Sequence, residues 1–321
     1  MELRVHFRKR LRLFAVYAGA PPAKKENGMQ NIRIGVNFPK GVRAERLEDT
    51  IHQMADFGYD LAEYNLSDLP LIVGGKVCRQ YVDFAADIFR RSPIPFTAHI
   101  GTGMDLRNRE SFTLAKNVLR SSIEVCAELG MPLLTLHFEE ASRHEDIERA
   151  FFDAHLEAAE YAAKLGVRLC IENIETERYE YVAAMVKKAN HPNFNMTLDL
   201  GHLNLSTRFY GQSFEEGVRA CAPLARHLHI SDNTGRFENM RLENFDLYRT
   251  LPMGYRIAFG CGDIHIPPFW GEIDLPLALS LLHEAGYGGI FLCEYYSELF
   301  NPFNKAIQEN VREKITGIFG K

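Results

Sequence analysis

From Asn31 onward the chain repeats one unit. A short β-rich apolar run gives way to a polar or glycine turn, then to a longer segment whose apolar residues recur at helical spacing. The runs are Ile32–Phe38, Tyr59–Asn65, Phe96–Ile100, Leu133–Phe138, Arg168–Ile174, Phe194–Leu200, Leu228–Asn233 and Gly289–Tyr296. Regular alternation of this kind predicts parallel strands joined by helices, and strands covered on both faces read as near-continuous apolar stretches, as Leu133-Leu134-Thr135-Leu136 does. Helices are predicted at Arg109–Leu129 and Glu145–Leu165, each stopped by a glycine, Gly130 and Gly166. Eight units of about 36 residues suit an α/β chain closed into a single (β/α)8 barrel domain over residues 31–321. The alternative is an open doubly wound sheet, but no GxGxxG follows a strand to support dinucleotide binding. The stretch Arg236–Phe259 is long for a connection and reads as a lid or substrate loop.

Residues 1–30 are set apart by charge. They carry seven Lys or Arg against two Glu, so +5 of charge sits there and −10 on the rest, within a formal net charge of −5. Three readings stay open for them: an extension outside the fold, a functional basic arm, or a targeting segment whose short apolar run Arg12 interrupts. The acidic body repels phosphate backbones and counts against nucleic acid as a partner. No run approaches the roughly 18 to 20 apolar residues of a membrane span. The six cysteines show no CxxC pair or zinc-ribbon spacing and read as reduced core residues of a cytoplasmic protein.

A barrel gathers its chemistry where the C-terminal ends of the strands meet. Here the third run contains His99, the fourth His137, the fifth Glu172, the sixth Asp199 with His202 just beyond, the seventh His229 and the eighth Glu294; the loop before the seventh helical unit adds Asp263 and His265. One histidine at a strand end is ordinarily a rim residue. Six of eight strands bringing ionisable groups to one height would cost several kcal/mol each in desolvation and repulsion without a cation. Imidazoles and carboxylates without thiolates suit a divalent metal, Mn2+ or Zn2+ first, with Co2+, Fe2+ and Mg2+ also admitted.

These strand endings, with Asp199-Leu-Gly-His202 and the stretch from Asp263-Ile-His265 through Gly271-Glu-Ile-Asp274, resemble the xylose isomerase-like TIM-barrel superfamily, and the likeness spans residues 31–319. The resemblance implies a metal-dependent sugar isomerase or epimerase that moves a proton next to a carbonyl through a metal-stabilised enediolate. It implies a cation held by Glu172, Asp199, His229 and Glu294, with Glu172 and Glu294 also exchanging the proton. Two alternatives on the same scaffold are a lyase or dehydratase and an endonuclease IV-like phosphodiesterase. The phosphodiesterase branch uses a longer ligand set, matched here by adding His99, His137, His202, Asp263 and His265. The residues beside Glu172 and Asp199, Asn173-Ile174-Glu175 and Leu200-Gly201-His202, depart from the nuclease pattern. The implied partner is a small carbohydrate or sugar derivative, with a homo-oligomer expected by analogy alone.

His99, His137, His202, Arg236 and Trp270 are expected to contact substrate; for His202 an orienting role toward Asp199 is the alternative. Asp232 and Asn233 either meet hydroxyls or form a turn, Phe38 and Phe269 either wall a sugar face or pack the rim, and Glu63 reads as a satisfied interior carboxylate.

Overall fold

The computed structural model describes residues 32–101 and 103–320. The expectation for residues 1–30 lies outside the described residues. Eight strands close a barrel in sequence order, all pairs parallel: β1 Arg33–Asn37, β2 Leu61–Asn65, β3 Phe96–Ile100, β4 Leu133–His137, β5 Arg168–Glu172, β6 Phe194–Asp199, β7 Ala225–Ile230 and β8 Ile290–Cys293. Around them run α1 Leu47–Asp56, α2 Arg79–Arg91, α3 Phe112–Leu129, α4 Glu145–Lys164, α5 Tyr179–Ala189, α6 Leu200–Phe209, α7 Phe214–Cys221, α8 Leu275–Glu284 and α9 Asn304–Phe319. The predicted glycine stops are real: Gly130 and Gly166 take φ of 74° and 75°, a left-handed conformation that glycine adopts without steric cost.

Alternation along each strand divides the molecule. Ala98, Leu134, Leu136, Ile171, Leu198, Leu228 and Ile230 are buried against the helices and make the main core. The opposite set points into the barrel, where Leu61, Ile290 and Leu292 form an apolar plug. Above that plug the interior turns polar, with Glu63, Thr97, Thr135, Thr197 and His227 all buried. A hydrogen bond between the Thr135 and Thr197 hydroxyls, 3.0 Å, spans it. One pleat higher, the same inward side presents His99, His137, Glu172, Asp199 and His229.

Two expectations are corrected. The seventh strand begins at Ala225 and ends at Ile230, so Ser231–Asn233 already belong to the loop. Cys126, Cys170, Cys221 and Cys293 are buried, but Cys78 and Cys261 are only partly so; all six are free thiols. The long connection, expected as a lid or substrate loop, carries three short helices, Met240–Glu243, Phe245–Tyr248 and Met253–Phe259.

Candidate metal centre

Register explains why the donors meet. His137 is paired with Glu172, and Asp199 with His229, across neighbouring parallel strands, so their side chains emerge at one level. Glu294 follows β8 directly, its N–H donating to the Ile230 carbonyl at 3.0 Å. Ligand atoms of Glu172, Asp199, His229 and Glu294 lie within 4.8 Å of one another, and so do those of two flanking groups, His99/His137/Glu172 and His202/Asp263/His265. All nine donors read from the sequence are therefore brought together. Arg236 and Trp270 are not: Arg236 is exposed and donates to the Phe259 carbonyl, while the half-exposed Trp270 ring packs edge-on against Phe300 and Phe303.

Glu172 is the hub. It is wholly enclosed, with Oε1 3.1 Å from His229 Nδ1 and 3.5 Å from His202 Nδ1, and Oε2 3.0 Å from His99 Nε2 and 3.5 Å from His137 Nε2. Glu294 is the more accessible carboxylate, its Oε2 2.9 Å from His229 Nδ1. Asp199 serves two purposes: Oδ1 caps α6 by accepting the His202 N–H at 2.5 Å, while Oδ2 is buried with no donor. Glu294 Oε2 is likewise buried without a hydrogen bond. Two donorless carboxylate oxygens facing an imidazole nitrogen are costly as they stand, and a divalent cation between them removes the cost.

The electrostatics agree. Burial, joined by the neighbouring charges of Glu172 and Glu294, pushes the Asp199 carboxyl up to about 7, against the pull of His202 and His229. Burial opposes ionisation of Glu294 as well, yet His229 and His265 hold it down at about 2. His265, despite burial, is lifted to about 10 by Asp263 and Glu294, and His229 and His202 stand well above the ordinary imidazole value for the same reason. His137 goes the other way, to about 4, because burial and its neighbours His99 and His202 all disfavour charge. Imidazolium protons thus balance carboxylates at a site that a metal ion can balance instead.

The surrounding loops add restraints that the sequence did not announce. Asp232 anchors its loop, in keeping with the turn-forming one of its two readings: Oδ1 accepts the N–H groups of Asn233 and Ile273 at 2.8 and 3.1 Å and steadies a segment in which His265 and Phe269 have φ of 40° and 70°. Strain of this kind persists only where surroundings impose it. Phe38 is core, buried edge-on against Tyr64. Arg256 donates to the Asp263 carbonyl at 2.6 Å, and Arg241 ties the short-helix segment to Glu175 at 2.8 Å. Lys40 reaches the Tyr296 hydroxyl at 3.1 Å. The signal for His227, two residues before His229 and therefore on the same inward face, was present in the sequence. The Lys40–Tyr296 contact, between residues 256 apart, left no local trace. Loops at the mouth carry Asp68, Asp105, Glu139, Glu140, Glu175, Glu177 and Glu298; burial lifts Asp68 to about 6 and raises Glu139, Glu177 and Glu298.

Among the described residues no helix is long and apolar enough to cross a membrane. No curated protein matches the chain. Solved structures similar to it include a D-tagatose 3-epimerase-like protein (18% identity over 87% of this chain and 100% of that one, TM-score 0.61). A xylose isomerase-like TIM barrel protein from Mycobacterium smegmatis in complex with magnesium is another (15%, 90% and 97%, TM-score 0.66), and the IOLI protein with a binding zinc atom a third (16%, 90% and 100%, TM-score 0.64). At these identities the likeness establishes the barrel. The family model for the xylose isomerase-like TIM barrel matches residues 51–315, most of the chain, and the chain belongs to that family.

Proposed function

We propose that this protein is a divalent-metal-dependent isomerase or epimerase acting on a carbohydrate or sugar derivative. The observation that carries the reading is the convergence of Glu172, Asp199, His229 and Glu294, with donorless oxygens on Asp199 and Glu294. These four residues would hold the cation, Mn2+ or Zn2+ being the best match to the donor set. Similarity to proteins described with magnesium, with zinc and as epimerase-like supports the assignment.

A C–H bond beside a carbonyl gives up its proton only if negative charge on the oxygen is stabilised, and a bound divalent cation supplies that Lewis-acid stabilisation. The chain's own part is proton handling. Glu172 and Glu294 both approach His229 Nδ1, at 3.1 and 2.9 Å, and come from strands three apart around the barrel, so one can take a proton from a substrate carbon and the other return it. Glu294, facing the mouth, is placed to act first. Glu172, enclosed by four imidazoles, has His99, His137 and His202 to pass a proton along or to orient substrate hydroxyls.

The flanking donor groups favour a second reading, a multi-metal phosphodiesterase, since adjacent ions can clamp both oxygens of an in-line displacement. The rim weighs against it. Three basic side chains there are already engaged: Arg107 with Glu148 at 2.5 Å, Arg241 with Glu175, and Lys40 on Tyr296. The remaining mouth is acidic and suits a neutral polyol better than a phosphate backbone. The test is proton–deuterium exchange in D2O across ketoses, inososes and 3-keto sugars with metal-loaded protein. Deuterium entering a carbon-bound position supports the isomerase reading. Exchange with none of them, together with cleavage of an abasic DNA duplex, overturns it.

A further inference from the structure

The side of His229 turned away from the four donors is occupied too. One pleat deeper, Glu63 on β2 places Oε1 3.1 Å from His229 Nε2, with the ring N–H bent off the line between them. Its other oxygen receives His227 Nε2 at 2.8 Å and the Thr97 hydroxyl at 3.1 Å. Glu63 is 3% exposed, and both histidines are at 0%. A buried carboxylate with no water is expensive unless several donors surround it. Here His227 and Thr97 are those donors. His227 Nδ1 is buried without a partner, so its bare lone pair is the cheaper group to leave there, and the ring proton belongs on Nε2, facing Glu63.

A cation takes histidine through a deprotonated ring nitrogen, and the atom His229 turns toward Glu172, Asp199 and Glu294 is Nδ1. Its remaining proton must then sit on Nε2, against Glu63. We propose that Glu63, held by His227 and Thr97, is a positioning residue for the cation: it accepts the Nε2–H of His229, fixes the tautomer with Nδ1 free, and enriches that nitrogen's electron density. The inference rests on the metal-site reading above and adds a layer to it, a carboxylate–histidine–metal relay whose distal end is buried beside His227 and Thr97. Partners of this type typically govern cation affinity by ten- to a hundredfold.

The test is calorimetric titration of Mn2+ into the full chain and its Glu63→Gln variant, with circular dichroism of the cation-free proteins as the folding check. Glu63→Gln is expected to bind ten to a hundred times more weakly, and Thr97→Val, which removes one holder of Glu63 and spares its charge, about fivefold more weakly. In Zn2+-loaded protein the Nε2–H proton of His229 is expected far downfield, moving upfield in Glu63→Gln, a change that a merely structural role would not produce. If Glu63→Gln fails to fold, Thr97→Val and the wild-type resonance carry the test. Wild-type affinity in a folded Glu63→Gln variant overturns the inference, as does a cation lodged between Glu63 and His227. A wild-type protein that binds no Mn2+ overturns the metal-site reading itself, and this inference with it.

Discussion

Replacing Asp199 by Asn is expected to stabilise the cation-free protein while weakening its hold on metal. The substitution is nearly isosteric. Asn retains the oxygen that caps α6, and the paired contacts with Asn173, both 2.9 Å, use the backbone of residue 199. What disappears is a charge. The folded state holds the Asp199 proton up to about 7, against 3.8 for a free carboxyl, so the folded form binds more protons than the unfolded one between those values. Wild-type stability without metal therefore falls as pH rises from 3.8 to 7, and the full penalty applies above 7. At 1.36 kcal/mol per pH unit the penalty is about 4 kcal/mol, equivalent to about 8 °C in thermal midpoint for a chain of this size. Unfolding of EDTA-treated proteins should show Asp199→Asn ahead by about that much at pH 8 and by under about 2 kcal/mol at pH 5. Mn2+ at a thousand times its dissociation constant returns about 4 kcal/mol to wild type and erases the lead. A cation-free variant less stable than wild type at pH 8, or a difference independent of pH, refutes the reasoning.

Other outcomes follow from the same geometry. Glu294→Gln is expected to lower deuterium wash-in by at least about a hundredfold, the usual worth of a positioned acid–base group, measured by NMR on any substrate that exchanges. Metal uptake at pH 7 releases protons, because His229, lifted well above its ordinary value, must surrender one; titration in two buffers of different ionisation enthalpy gives the number. His155, pushed by burial to about 4, makes the unfolded state the better proton acceptor between 6.5 and 4. Stability therefore declines by about 3 kcal/mol as pH falls through that window, a decline that urea midpoints would register and His155→Met would flatten.

Much of this architecture was legible because alternation and strand ends are local properties. Inward residues on a barrel strand repeat every second position, so His99, His137, Glu172, Asp199 and His229 had to face one another once the strands were recognised. The start of β7 was missed because Arg226 and His227 interrupt the apolar run; the structure spends His227 on Glu63, a partner 164 residues away. Asp232, Arg236, Phe38 and Trp270 look like mouth residues in sequence, yet their contacts are set by loop paths that spacing does not encode. The short helices after residue 239 were invisible for a related reason: each spans one or two turns and depends on clamps such as Arg241–Glu175 and not on its own periodicity.

The central claim is that one divalent cation sits among Glu172, Asp199, His229 and Glu294. Anomalous diffraction from crystals grown with Mn2+, collected at the metal edge, tests it directly. A peak about 2.0 to 2.3 Å from oxygens of the three carboxylates and from His229 Nδ1, lost in His229→Ala, is the predicted result. A crystal with the four side chains ordered and no peak between them, or with its only peak at a surface carboxylate, contradicts the account.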